Sequence, residues 1–208
     1  SDIYSDESMS SDLLTETNLD DEQRLYAGYV VESSGQMQSY IQTLIDISRA
    51  AVGYQLHIES IDLPAFMQHL FGYMESLCRT KEIRLQMNTV SLPQMLKFDR
   101  VLIERAIMNV ISNGLDYSPQ GGTLYVDVQS NNGFVEISVT DEGTGFSKEA
   151  LCHAQERFYM GDQSRNSKLH FGTGLYITNS IMEQHNGQLI LENSKETGGA
   201  KVTMKLPC

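Results

Sequence analysis

The hydrophobic pattern of this chain changes its period near Gly53, and this change limits the folds that the chain can adopt. Between residues 21 and 52, apolar side chains recur in alternating steps of four and three residues, which is the period of a helix with one apolar stripe. Beyond Gly53, short runs in which apolar and polar residues alternate, as in strands, are interspersed with segments whose apolar residues recur with the period of a helix. The stripe consists of Tyr26, Val30, Ser33, Met37, Tyr40, Leu44 and Ile47. The sequence therefore predicts one long helix followed by a mixed domain.

The long helix, residues 21–52, is predicted to need partner helices, because a single helix cannot bury an apolar stripe by itself. The pattern is the one expected of a single helix from a dimeric helix bundle, with the other helices of that bundle missing from this sequence. A core helix of the same domain is the alternative. Residues 1–20 are rich in Ser and Asp. Such a composition predicts an irregular acidic lead-in.

Residues 57–208 are predicted to form an α+β domain, a two-layer α/β sandwich with helices on one face of a mostly antiparallel sheet. Strands are predicted at 56–63, 83–90, 94–99, 123–130, 134–141, 188–193 and 200–207. Helices are predicted at 64–81, 99–117, 148–159 and 173–187. Gly187 is predicted to cap the last of these helices, because glycine commonly ends a helix in the left-handed conformation.

Composition excludes several classes of protein. The 208 residues carry a net charge of -12, with eight acids and no Lys or Arg before Arg24. A nucleic-acid-binding protein needs a basic face, so none is expected as a partner. No run approaches the roughly 20 apolar residues of a membrane-spanning helix. The three cysteines, Cys78, Cys152 and Cys208, lack metal-ligand spacing, which favours a reducing compartment.

Two glycine clusters follow the helix of residues 99–117. The first, Asp141 to Gly145 (DEGTG), comes directly after a strand, where glycine lets a ligand approach the backbone. An aspartate at a strand end can accept a hydrogen bond from the exocyclic amine of a base. The second, Gly172 to Gly174 (GTG), opens a helix, and helix N-termini bind anions. Neither cluster has the spacing of a P-loop.

The order of these motifs resembles the ATP-binding domain of sensor histidine kinases, within the superfamily shared with DNA gyrase and the heat-shock chaperone ATPases. NVISNGLDYSP (109–119) matches the asparagine box, DEGTGFS (141–147) the first glycine box, ERFY (156–159) the aromatic box and HFGTGLYI (170–177) the second glycine box. The resemblance covers residues 57–208 and implies the histidine-kinase ATPase type of α/β sandwich. The helix of residues 21–52 resembles the second helix of the kinase dimerisation bundle.

The resemblance implies ATP and Mg²⁺ as ligands. It assigns Asn113 to Mg²⁺ and the phosphates, and places Asn109 one turn earlier on the same helical face. An amide suits this place, because it offers a neutral oxygen to a hard cation and N–H donors to phosphate oxygens. Tyr117 is expected to lie against the nucleotide. Asp141 is expected to accept a hydrogen bond from the adenine amine, and Gly143 and Gly145 to clear space for the ring.

The resemblance also implies a lid over the nucleotide. Phe158 belongs to the aromatic box at the root of this lid, and Arg165 and Lys168 are its cations, available to neutralise the transferred charge. The second glycine box brings backbone N–H groups to the phosphates. Its assigned members are Gly172, Gly174 and Leu175.

Four residues depart from the family's usual pattern and predict a modest affinity for ATP. One of them is Met160, which stands where Arg is frequent after the aromatic box. Asp116 stands where a basic residue is common, Gly114 where Ala is common, and Tyr176 where a third glycine is common.

Asn109 favours a kinase over an ATPase. The gyrase-like branch has a Glu at this position that acts as general base toward water, and an amide cannot take a proton. Transfer to a protein nucleophile depends mainly on positioning and charge neutralisation. A degenerate nucleotide-binding module, a serine kinase and an ATPase of the same superfamily remain as alternatives.

None of the five histidines is followed by the acid that the family places after its phosphoacceptor. They are His57, His69, His153, His170 and His185. We therefore expect this chain to be the C-terminal part of a longer kinase and to lack the acceptor helix. The parent is expected to be a homodimeric, membrane-anchored sensor that contacts the membrane only through missing N-terminal regions. This cytoplasmic part would signal to a response regulator.

Overall fold

The computed structural model of the chain describes residues 20–153 and 173–208. The chain divides between Ser48 and Arg49 into two units, which are considered separately below. Of the predicted site residues, Phe158, Arg165, Lys168 and Gly172 lie outside the described residues, as does the predicted helix 148–159 beyond His153.

The first unit contains most of helix α1, Asp21–Val52. The helix begins with a reciprocal cap, in which the Gln23 N–H donates to Asp20 Oδ1 at 2.8 Å and the Asp20 N–H donates to Gln23 Oε1 at 3.1 Å. This pairing satisfies two backbone donors that the first turn leaves without partners. Several apolar side chains of the predicted stripe are exposed, namely Tyr26, Val30, Met37 and Leu44.

The second unit contains the remaining elements. Its helices are α2 Leu63–Thr80, α3 Arg100–Tyr117, α4 Lys148–His153 and α5 Gly174–Gln184. Its strands are β1 Glu59–Asp62, β2 Arg84–Val90, β3 Met95–Phe98, β4 Thr123–Asn131, β5 Phe134–Thr140, β6 Gln188–Asn193 and β7 Ala200–Pro207.

The main sheet has five strands in the order β2-β4-β5-β7-β6. Strand β2 runs parallel to β4, and the other neighbours are antiparallel. Strands β1 and β3 form a separate antiparallel pair, with Ile61 opposite Leu96. The prediction of a mostly antiparallel sheet therefore agrees with the structure, whereas the separate pair was not predicted.

One hydrophobic core lies between this sheet and the helices α2, α3 and α5. Ile107 and Ile111 of α3 and Ile181 of α5 are fully buried against strand residues such as Leu124 and Ile137. Because such residues recur at helical spacing on α3 and at alternate positions on the strands, the two layers meet through complementary apolar faces.

Turn residues fix the ends of these elements. Asn132 and Gly133 join β4 to β5 with φ values of 51° and 80°, the left-handed conformations of a two-residue hairpin turn. At the end of α5 the left-handed residue is Asn186, with a φ of 55°, so the prediction that Gly187 plays this role was wrong. Gly187 is required for a different reason, because a Cβ atom there would lie 2.4 Å from the Lys205 carbonyl oxygen.

Candidate functional site

Asn109 and Asn113 lie one turn apart near the end of α3. The helix begins where the Asp99 side chain accepts a hydrogen bond from the Leu102 N–H at 3.1 Å. Both asparagines are half-buried. Asn109 Nδ2 donates to the Gly174 carbonyl oxygen at 3.4 Å, whereas the amide of Asn113 has no hydrogen bond to any described residue. Within the part of the chain that the structure describes, the amide of Asn113 is therefore available to a ligand.

The N-terminus of α5 lies beside these asparagines. A Cβ atom at Gly174 would stand 3.7 Å from Asn113 Nδ2 and 3.8 Å from Asn109 Cβ. Thr173, which precedes the helix, is buried, and its side chain makes no capping hydrogen bond. Backbone N–H groups in the first turn of a helix have no partners within the helix and attract anions. The fold thus places two amides beside a potential anion-binding turn.

Asp141 follows β5 and is 4% exposed. Its Oδ1 accepts hydrogen bonds from the Gly143 N–H at 2.8 Å and from the Ala200 N–H at 3.0 Å. Burial raises the pKa of this carboxyl group, and the two N–H donors oppose that effect. Among the described residues, no donor contacts Oδ2. Asp141 is therefore a buried acceptor with one oxygen fixed by the backbone and the other open to a ligand.

The loop after Asp141 passes close to the end of α3. A Cβ atom at Gly143 would lie 2.5 Å from the Tyr117 carbonyl oxygen, so only glycine fits there without movement of the backbone. Glu142 ties the loop to the start of β4, because its carboxylate accepts hydrogen bonds from the Thr123 N–H and the Tyr125 hydroxyl, both at 3.0 Å. The loop and the last turn of α3 consequently form one packed unit.

Most of the predicted site residues that the structure describes lie in or next to this region. Tyr117 is 43% exposed at the end of α3, and Leu175 is half-buried in the first turn of α5. Gly145 has a φ of 70°, in the region that favours glycine. The structure therefore brings the asparagine pair to the N-terminus of α5, and the end of α3 to the loop that begins at Asp141.

The hairpin between β6 and β7 contributes residues that the sequence did not single out. Thr197 Oγ1 donates to the Asp141 carbonyl oxygen at 2.7 Å, and a Cβ atom at Gly199 would lie 2.1 Å from the same oxygen. The adjacent glycines Gly198 and Gly199 were the available signal, because paired glycines mark a tight turn. A sequence alone does not indicate which other loop such a turn approaches.

The structure shows specific contacts at two of the positions that depart from the family's usual pattern. Asp116 forms an ion pair with Lys81, at the end of α2. A Cβ atom at Gly114 would lie 2.6 Å from Leu124 Cδ1, so the leucine side chain occupies the space that an alanine methyl group would need.

Across residues 20–153 and 173–208, no group of three or more His, Cys, Asp or Glu side chains could hold a metal ion. An oxygen from an amide, together with oxygens from a phosphate-containing ligand, remains a suitable donor set for a hard cation. None of the described helices combines the length and the apolar character that a bilayer crossing demands.

Known proteins with similar sequences include sensor histidine kinases. The sensor histidine kinase SpaK of Bacillus subtilis is 33% identical over 198 residues, which are 95% of this chain and 43% of SpaK. The sensor protein SphS of Synechococcus elongatus is 29% identical over 199 residues, which are 91% of this chain and 48% of SphS. The chain therefore spans less than half the length of these two relatives.

The fold also has known counterparts. The crystal structure of full-length ShkA in complex with AMPPNP matches with a TM-score of 0.83 at 20% identity, over 99% of this chain and 42% of ShkA. This likeness confirms the predicted two-layer arrangement of helices and sheet.

The family model named histidine kinase-, DNA gyrase B- and HSP90-like ATPase matches residues 98–208, which is more than half of the chain. Together with the sensor kinase relatives, this match confirms the resemblance found in the sequence. The chain therefore belongs to the histidine kinase-, DNA gyrase B- and HSP90-like ATPases, and its ATPase domain is of the histidine-kinase type.

Proposed function

We propose that this chain binds ATP with Mg²⁺ and transfers the γ-phosphoryl group to a histidine on a bundle helix that these 208 residues do not contain. The observation that carries the proposal is the pair of open polar groups in one domain. One is the half-buried amide of Asn113 beside the first turn of α5, and the other is the buried Asp141 with an open Oδ2. The first suits a metal-bound phosphate and the second suits a nucleobase amine.

At the base-binding end, Asp141 Oδ2 would accept a hydrogen bond from the adenine amine. The carboxylate is held by two backbone N–H groups on its other oxygen, so it cannot rotate without losing them. A buried acceptor discriminates strongly, because a base that presents no donor leaves it unpaired. Gly143 and Gly145 keep this part of the loop free of side chains, and Tyr117 would cover the nucleotide from the end of α3.

At the phosphate end, Asn113 would hold Mg²⁺ through Oδ1 and donate from Nδ2 to a phosphate oxygen. When bound, the cation would neutralise charge on the phosphates. Asn109 is already fixed to the Gly174 carbonyl and would support the same region. The N–H groups at the start of α5, including those of Gly174 and Leu175, would meet the phosphates. By the family resemblance, Gly172 would extend this contact, Phe158 would root a lid, and Arg165 and Lys168 would add positive charge.

The acidic group closest in sequence to Asp141 is already engaged. Both oxygens of Glu142 accept hydrogen bonds within the fold, which leaves this carboxylate unsuited to act as a general base toward water. Asn109 stands where the hydrolysing branch has its glutamate. These two features favour transfer to a protein nucleophile over hydrolysis of ATP.

The partners follow from the same proposal. The exposed apolar residues of α1 suit pairing with other bundle helices, including those of a second copy in a homodimeric parent protein. A phosphohistidine formed there would pass its phosphoryl group to a response regulator. We place the chain in the cytoplasm, where ATP and reduced cysteines are found.

The first test is binding. Calorimetry with ATP and Mg²⁺ is expected to show one site with a dissociation constant between micromolar and millimolar, the range typical of enzyme substrates. GTP in place of ATP serves as the matched control and is expected to bind more weakly, because guanine presents an oxygen to Asp141 where adenine presents an amine. No heat of binding at millimolar ATP would contradict the proposal.

The second test is phosphoryl transfer. Incubated with γ-labelled ATP, the chain by itself is expected to stay essentially unlabelled, because transfer needs an in-line nucleophile held against the γ-phosphate. An added helix that carries a histidine followed by an acid is expected to acquire an acid-labile label if it pairs with α1. Stoichiometric labelling of the chain itself at any of its own histidines would show that the missing acceptor was wrongly inferred.

A further inference from the structure

The side chain of Asn193, at the end of β6, forms hydrogen bonds with the backbone of Phe146, at the end of the loop that begins at Asp141. Asn193 Oδ1 accepts a hydrogen bond from the Phe146 N–H at 2.7 Å, and Asn193 Nδ2 donates to the Phe146 carbonyl oxygen at 2.9 Å. The two bonds together reproduce the pairing that a neighbouring strand would supply. Forty-seven residues separate the partners in sequence, so this contact is purely tertiary.

The same asparagine also lies against Gly145. Gly145 has a φ of 70°, and a Cβ atom there would lie 2.8 Å from Asn193 Oδ1 and 2.9 Å from the Gly198 carbonyl oxygen. The loop is therefore pressed against the hairpin in a conformation that few other residues adopt. The Phe146 ring packs against the hydrophobic core and fixes the loop from inside.

Side-chain contacts thus hold the loop between Asp141 and Phe146 at both of its ends. Glu142 ties it to β4, Thr197 holds the Asp141 carbonyl, and Asn193 holds Phe146. The first two anchors act at the start of the loop. Asn193 holds the end that follows Gly145 by side-chain hydrogen bonds, next to the packed Phe146 ring, where the chain turns into α4 at Lys148.

We infer that Asn193 is a positioning residue for nucleotide binding, which acts by holding the backbone of Gly145 and Phe146 in the conformation that accepts the adenine ring. The inference rests on the proposed role of Asp141 and deepens it. Asn193 is exposed, so water can replace its hydrogen bonds when it is removed and the core stays intact. The unbound loop would then sample other conformations, and binding would have to restore the competent one.

The test compares three variants of the whole chain. Asn193→Ala removes both bonds and is expected to weaken ATP binding about five- to tenfold, with little change in the thermal unfolding midpoint. Asn193→Asp keeps the shape and the acceptor but sets a carboxylate oxygen against the Phe146 carbonyl, so it is expected to bind no better than the alanine variant. Asn88→Ala is the matched control, because Asn88 is exposed on β2 and has no side-chain hydrogen bond to a described residue.

Amide exchange supplies a readout that a merely structural role would not reproduce. In Asn193→Ala the Phe146 N–H is expected to exchange faster, while the core amides of α3 keep their protection. Wild-type affinity in Asn193→Ala, alongside loss of binding in Asp141→Asn, would overturn the role of Asn193 and leave the proposed function standing. Wild-type affinity in both variants would overturn both. Lost protection throughout the domain would show that Asn193 is needed for folding instead.

Discussion

Replacement of Asp141 by asparagine is expected to weaken ATP binding about 100-fold, which corresponds to about 3 kcal/mol. In the native site, Oδ1 accepts the N–H groups of Gly143 and Ala200. The asparagine oxygen must take that position, because an NH₂ group there would face two donors. The NH₂ group is then forced into the position of Oδ2, where it meets the adenine amine. Two donors would face each other in a site with little access to water.

The same substitution is expected to leave the fold as stable as before, or slightly more so. Burial raises the pKa of Asp141 above its value in the unfolded chain, so the folded state binds more protons in the interval between the two values. The free energy of unfolding therefore falls as the pH rises through that interval. Above the folded-state pKa the carboxyl group is ionised in both states, so the loss of stability has reached its full size and no longer changes with pH. A neutral amide avoids this cost at pH 7.

Calorimetry with ATP and GTP, paired with thermal unfolding, checks both expectations. GTP should bind Asp141→Asn better than it binds the native chain, because the guanine oxygen can accept from the new NH₂ group. Asp127→Asn removes the same charge from an exposed position on β4 and is expected to change neither affinity nor stability. ATP binding to Asp141→Asn with native affinity would remove the aspartate from the proposed site.

The regular elements of the domain were predictable because their signals are local. Strands β6 and β7 begin and end where alternation and turn residues indicate, and the left-handed Asn132 and Gly133 form the turn between the two predicted strands 123–130 and 134–141. The pairing of the strands was harder to predict from the sequence. β1 pairs with β3 away from the main sheet, and β2 joins β4 in parallel. These choices depend on contacts between segments that are distant in sequence, and alternation carries no information about them.

The candidate site likewise combines features that the local sequence predicts with features that depend on tertiary contacts. Asn109 and Asn113 share a helical face by spacing alone, and glycines mark the loops around them. The anchors of the Asp141 loop were not predicted, because Asn193 and Thr197 are ordinary polar residues in a surface hairpin until the fold brings them to the loop. The end of α5 shows a local limit as well. Asn and Gly both adopt the left-handed conformation, so the sequence does not show which of Asn186 and Gly187 does so. Position 187 requires glycine because the Lys205 carbonyl oxygen lies too close for a Cβ atom.

Replacement of Asn113 by alanine is expected to abolish the Mg²⁺ dependence of ATP binding and to lower phosphoryl transfer to an added acceptor at least about 100-fold. The side chain is half-buried and makes no hydrogen bond to a described residue, so its removal breaks no internal contact of that kind. Alanine also favours a helix more than asparagine, by up to roughly 0.7 kcal/mol. The unfolding midpoint is therefore expected to stay the same or to rise.

A titration of Mg²⁺ against a fixed concentration of ATP tests this without need of an acceptor. The native chain should bind ATP more tightly as Mg²⁺ increases, whereas Asn113→Ala should bind it weakly at every concentration. Ser112→Ala, at the neighbouring half-buried position of α3, provides the matched control and should behave as the native chain does. A variant that unfolds would show that Asn113 serves the fold. Native Mg²⁺ dependence would assign the metal to another ligand, and Asn109 Oδ1 is the nearest candidate, because the hydrogen bond to Gly174 engages only Asn109 Nδ2.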